Sequence, residues 1–274
     1  MPLATTIDEV LSELEKIIAD ARSAGDRVGF FAALYHKVTT GVKEGIAKGS
    51  FQDGPRMARL DVIFANRFLA ALDAWRGSQP VAAGQPPTQS WMIALDATKQ
   101  SSLLVLQHLL LGINAHINLD LGIAAVETMQ GQDIEAIHTD FDTINTIIGS
   151  LTYQVLHEID RISPLLSLIG LQGNNTNSFL IQFSIGNARD GAWCFAENLS
   201  KQTGEAYAAC ISTRDSDIAT LAGDLAHTTG FLRFTLWIVH LFEWKNAGKI
   251  IAELYGYKKS VMHAATLRPR AARD

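Results

Sequence analysis

The chain has 274 residues, 47% hydrophobic and 19% charged, too apolar for a disordered polymer and long enough to bury a substantial core. Its 23 Lys and Arg against 28 Asp and Glu give a net charge of −5, which speaks against nucleic-acid binding through a concentrated basic face. The two cysteines, Cys194 and Cys210, cannot build a disulfide framework, and residues 1–15 carry no basic segment followed by an apolar one, so a cytoplasmic location is expected.

Helical periodicity begins at once. Ile7, Val10, Leu11, Leu14, Ile17 and Ile18 follow the i, i+3, i+4, i+7 pattern behind Thr5 or Thr6 as N-cap, predicting a helix over 7–23. A second helix, carrying Phe30, Phe31, Leu34, Val38 and Val42, starts after Gly25 and Asp26 and ends near Gly49; a third opens at Pro55, a favoured first-turn residue, and runs to about Trp75. The proline- and glycine-rich stretch 76–89 reads as a loop. Helix then resumes at Ser90 and reaches about Ala125, with a break expected near Gly112 or Asn114. Further helices are predicted over 133–168, stopped by Pro164 or by the turn signal Gly170, Gly173, Asn174 and Asn175, and over 177–202, 204–213, 216–227 and 230–255.

No strand pair and no fixed-period repeat stands out. The fold class expected is all-α, a single bundle-like domain of about eight to ten helices over 1–260 with no sheet, followed by a basic tail over 261–274. Residues 245–274 hold seven basic and two acidic residues, a local +5, which reads as a solvated last helix and tail. The two greasiest runs, 103–113 and 231–242, are interrupted by Gln107, His108, Arg233 and His240, so both read as buried helices and no integral membrane span is expected.

The densest polar cluster lies inside an apolar helix, LQHLLLGINAHINLDLGIA, where unpaired polar groups are costly to bury. His116 and Asp120 stand one turn apart on one side, and His108 lies within about 120° of Asp120, so all three are expected to face one cavity. Gln107, Asn114 and Asn118 form a separate hydrogen-bonding stripe. An imidazole and a carboxylate at i, i+4 suit zinc or another divalent ion; the alternative is a buried histidine paired with its aspartate. Glu135 with His138 and Asp224 with His227 also share helix faces. Asp61, threaded between Leu60 and Ile63 near Phe64 and Phe68, needs a cation such as Arg67, or a metal. Tyr35 and His36 are placed to reach the same interior. No G-x-S-x-G, P-loop or dinucleotide fingerprint occurs, so no serine nucleophile, ATP or dinucleotide chemistry is expected.

Four stretches, FFAALYHKVTTGV, RMARLDVIFANRFLAALDAW, VLQHLLLGINAHINLDLGIAAVE and ARDGAWCFAENL, together resemble an all-helical bacterial family known as domain of unknown function 5995, over about residues 30–199, with HINLDL the most specific piece. The resemblance implies an all-helical fold and no particular reaction. More locally, Gly112, His116 and Asp120 resemble the GxxxHxxxD helix of zinc-dependent phospholipase C and nuclease families, in which that histidine and aspartate bind zinc. The carry-over reaches only His116 and Asp120: the further histidine those families place after the aspartate is replaced by LGIAAVETMQ, and their N-terminal tryptophan ligand is absent.

Three function classes follow. The first is a metal-dependent, hydrolase-like enzyme acting on a small molecule, with His116 and Asp120 holding a divalent metal such as zinc and with His108, Asp61 and Tyr35 as catalytic groups. The second is a helical binding module for a small apolar ligand, with the polar cluster as its hydrogen-bonding network. The third is a structural protein in which the same groups are packing networks. The expected partner is a small molecule rather than nucleic acid, with self-association into a homo-oligomer left open.

Overall fold

The computed structural model describes residues 3–77, 87–166 and 185–265; most of the loop predicted over 76–89, the turn signal at Gly170–Asn175 and residues 266–274 of the basic tail lie outside them. The described residues hold 11 α-helices and no strand. That is one helix more than the upper figure expected from the sequence.

Helix α1 (Ile7–Ala24) starts where the Thr6 hydroxyl accepts the Glu9 N–H and stops on Gly25 at φ 68°, a left-handed conformation that glycine adopts without strain. Its buried stripe of Val10, Leu14, Ile17, Ile18 and Ala21 packs on α2 (Val28–Ala47). Helix α3 (Gly54–Trp75) is capped by Asp53, whose side chain accepts the Arg56 N–H, and has Pro55 in its first turn. The Thr88 side chain accepts the Trp91 N–H at the start of α4 (Gln89–Ala97). Asp215 also accepts the Gln89 and Ser90 amides at 2.7 and 3.0 Å, so a carboxylate 125 positions away in sequence reinforces that helix start.

The break expected at Gly112 or Asn114 lies instead at 98–104. From Val105 to Met129 the chain is one continuous helix made of α5 (Val105–Ala115), a π-helical turn (His116–Asp120) and α6 (Leu121–Met129). Gly112 does not interrupt it because glycine is demanded there by packing: a Cβ would stand 2.5 Å from the Phe31 ring. This element is long and apolar enough to cross a membrane by composition, yet 83% of its apolar window is buried within the protein. Helices α2, α3, α4, α8 (Ile185–Leu199) and α9 (Gly204–Ala226) surround it. Its Gln107–Asn114–Asn118 stripe faces α9: Gln107 donates to Leu225 O and Asn114 to Ile218 O, at 2.9 and 3.0 Å, and Asn118 donates to Asn114.

Two other boundaries differ from the sequence expectation. The helices predicted over 204–213 and 216–227 are one helix, α9, and the helix predicted over 230–255 is two, α10 (Gly230–Phe242) and α11 (Ala247–Ala265). The second difference has a tertiary cause. Glu243 turns inward, where both carboxylate oxygens accept the Val105 N–H and one accepts the Ser163 hydroxyl, while Trp244 N–H donates to Ile162 O. Asn246 then restarts the helix by accepting the Lys249 N–H. A 3-10 turn (Ile134–Ile137) leads into α7 (His138–Ile162), which ends before Pro164.

Candidate functional site

The π-helical turn carries both His116 and Asp120. In it the Leu121 N–H reaches back five residues to His116 O rather than the usual four, a local widening that recurs at functional sites in helices. The Asp120 carboxylate is fully buried and shared by three donors: Arg67 Nε at 2.6 Å on one oxygen, and Trp91 Nε1 at 2.7 Å and His116 Nδ1 at 3.2 Å on the other. Burial pulls this carboxyl upward, but the Arg67 charge and the His116 and Trp91 hydrogen bonds outweigh it and hold the group below the ordinary carboxylate range. His116 is pushed below the ordinary imidazole range by burial, only partly offset by Asp120. The consistent assignment is a neutral imidazole whose Nδ1–H donates to Asp120, leaving Nε2 as an acceptor.

That Nε2 atom is buried and has no hydrogen-bond partner. The His116 ring is clamped against Phe64, with centroids 3.5 Å apart and planes 7° from parallel, and meets the Tyr35 ring edge-on at 4.5 Å. Tyr35, Asp61 and His116 line one cavity of about 240 Å³ between α2, α3, α5, the π turn and α7. Most of the remaining lining is aliphatic, including Leu109, Ile113, Ile148 and Val155. Asp61 is 4% exposed, its Oδ2 lacks a partner, and burial raises its carboxyl to about 7. The Tyr35 hydroxyl lies beside Thr39 without a well-formed bond and is pushed up by burial.

The structure therefore brings His116, Asp61 and Tyr35 to one cavity, with Asp120 behind His116, and places His108 elsewhere. The His108 ring packs edge-on against Phe30 at 5.7 Å and does not line this cavity; both ring nitrogens lack partners and burial lowers the group to about 4. Arg67 is not the counter-ion of Asp61. Six residues apart on α3, the two lie about 120° apart around the helix, and Arg67 turns to Asp120 instead. Glu135 and His138 do meet, at 3.3 Å, but Glu135 is exposed, His138 is half-buried and its ring stacks on Trp193. Asp224 and His227 are exposed at the end of α9.

As a zinc site the donor set falls short. Both Asp120 oxygens are already taken by N–H donors, and no group of three or more His, Cys, Asp or Glu converges among the described residues. Three contributors were not legible in the sequence. Trp91 gives no signal because an indole donor is indistinguishable from a core aromatic until its acceptor is known. Asp140 accepts the Gln52 and Asp53 amides at 2.6 and 3.0 Å and pairs with Arg56 at 2.8 Å, bracing the start of α3. Arg189, on α8, is the one lysine or arginine among the described residues of the cavity wall.

A family model described as a family of unknown function, DUF5995, matches residues 7–228, a span wider than the 30–199 expected from the motifs. No curated protein and no solved structure matches the chain.

Proposed function

The chain belongs to the DUF5995 family, and we propose that it is a binding protein that encloses a small, largely apolar molecule in the cavity beside His116. The observation that carries this reading is the combination of an aliphatic and aromatic wall with a few polar atoms left unsatisfied at it. Apolar pockets with a small number of convergent polar groups are how proteins hold and orient small ligands. Buried polar atoms without partners are rare in folded proteins, and a ligand oxygen is the simplest group to satisfy them. The polarity is specific. His116 Nε2 accepts, Tyr35 donates, and Asp61, whose carboxyl burial raises to about 7, accepts in either form and donates while protonated. A hydroxyl or carbonyl oxygen on the ligand fits this set.

The test is calorimetric titration with 1-decanol, together with native mass spectrometry of the purified protein. The expected result is one site per chain, lost when Val155 in the cavity wall is replaced by Trp while the circular dichroism spectrum is unchanged. Binding that survives Val155→Trp would overturn the assignment to this cavity.

A second reading, catalysis, is favoured by one observation: Asp120 fixes the His116 tautomer and leaves a basic nitrogen at the cavity wall, the arrangement of an oriented general base. A metal-dependent form would require Asp120 to give up Arg67 or Trp91. Metal analysis and turnover of aryl or alkyl esters, compared between the wild type and His116→Gln, separate this reading from simple binding.

A further inference from the structure

Arg189 is buried, 3% exposed, in the wall of the same apolar cavity. Its Nε donates to Asn145 Oδ1 and its Nη2 to Phe141 O, and its guanidinium lies over the Phe141 ring, 4.4 Å from the centroid. These contacts fix the plane of the guanidinium and engage two of its five N–H groups. None of them neutralises the charge. No carboxylate of the described residues lies within 4.0 Å of it, and residues 167–184, immediately before α8, contain no Asp or Glu. The charged groups nearest to it, Asp142 and Asp190, act on it only at a distance; both are exposed, and Asp142 stands 3.6 Å from His138. Burial lowers the guanidinium to about 10, still charged at neutral pH.

A buried cation without a counter-ion is among the costliest arrangements in a protein interior. Other buried ionic side chains among the described residues are each met by a partner or neutralised in part: Asp120 has Arg67, Asp140 has Arg56 and Glu158 has Lys37, Asp215 and Glu243 accept backbone amides and serine hydroxyls, and burial raises the Asp61 carboxyl to about 7. Among the described residues lining the cavity, Arg189 is the cation with no carboxylate within 4.0 Å.

Resting on the binding function above, we propose that the ligand is an aliphatic carboxylate whose carboxylate group pairs with Arg189. The hydrocarbon chain lies along the wall of Val42, Leu60, Leu121 and Ile144 that shares the cavity with Arg189. The planar fork of a guanidinium matches a carboxylate in two parallel hydrogen bonds, which a hydroxyl or an ammonium head cannot form. Val42, Leu60, Leu121, Ile144 and Ile148 also belong to, or pack on, one core cluster, so the acid head and the first part of its chain are held by a rigid wall.

The experiment compares decanoate, 1-decanol and decylamine on the full chain by calorimetry at neutral pH and low salt. Decanoate is expected to bind at least tenfold more tightly than 1-decanol, with decylamine the weakest. Arg189→Gln should abolish the preference, bringing decanoate affinity down to that of 1-decanol in the same variant, and Arg189→Lys should keep part of the preference. Should Arg189→Gln fail to fold, the wild-type comparison and Arg189→Lys decide alone. Equal binding of decanoate and 1-decanol by the wild type, or an equal loss for both in Arg189→Gln, overturns the carboxylate assignment and leaves the binding function standing. If none of the three binds, the binding function itself is overturned.

Discussion

Asp120 is the residue on which most of the buried polar network depends, because Arg67, Trp91 and His116 all donate to it. Asp120→Ala leaves a largely buried guanidinium and two N–H donors without an acceptor and is expected to cost about 3–5 kcal/mol in chemical denaturation. A loss below about 1 kcal/mol would show that Arg67 finds solvent on its own. Asp61 and His108 are the two groups whose titration should be visible in stability. The folded pKa of Asp61, about 7, lies above its ordinary 3.8, so the native state holds a proton that the unfolded chain has released. Stability is therefore full below about pH 4 and falls as pH rises toward 7, flattening above it. Asp61→Asn removes this slope, and the variant should gain on the wild type between pH 4 and 7 by up to about 4 kcal/mol. His108 runs the other way on the same axis. Its folded value, about 4, lies below the ordinary 6.5, so stability is lost as pH falls from 6.5 toward 4. His108→Leu should remove that loss and leave ligand affinity unchanged, since the ring is not at the cavity; altered affinity would contradict the placement.

At the scale of the element, the helix from Val105 to Met129 owes its position to two glycines. A Cβ on Gly112 would stand 2.5 Å from Phe31, and one on Gly122 would stand 2.6 Å from Phe195 and 2.9 Å from Ala192 O. Phe31 is boxed in by Tyr35, Phe68, Trp91 and His116, so it cannot swing aside cheaply. Gly112→Ala is expected to destabilise by about 1–3 kcal/mol despite the higher helix propensity of alanine, measured by urea unfolding; a stabilised variant would mean that Phe31 has room to move. The start of the same helix depends on Glu243 through its bonds to the Val105 amide. That dependence ties the break between α10 and α11 to the position of the central helix, because the carboxylate that caps α5 is the residue at which α10 stops.

For the whole molecule, the cavity lowers stability when empty and raises it when filled. Wall residues such as Leu109, Ile113 and Ile159 belong to the main core, so a ligand there is held by the same packing that holds the fold. An occupant present at 100 times its Kd adds about 2.7 kcal/mol to the native state. Decanoate should therefore raise the thermal midpoint of the wild type in a concentration-dependent way, with no shift for Val155→Trp. A shift of the same size in both proteins would place the ligand on the surface.

Much of the element order follows from residue spacing alone. Thr6 before a periodic apolar run, Gly25 after it and Pro55 opening the next helix act through backbone geometry and capping bonds within a few residues. The apolar run around Gln107–Asp120 likewise announced a buried central helix, and His116 and Asp120 announced a paired site within it, because an i, i+4 pair in a greasy helix has to find partners. What spacing does not contain is the identity of those partners. Arg67 turning from Asp61 to Asp120, Trp91 serving as a donor, Glu243 ending one helix to cap another, and Arg189 arriving at the cavity from α8 all join residues far apart in sequence. Such choices are made by packing, which decides which buried charge meets a counter-ion and which is left facing an apolar cavity.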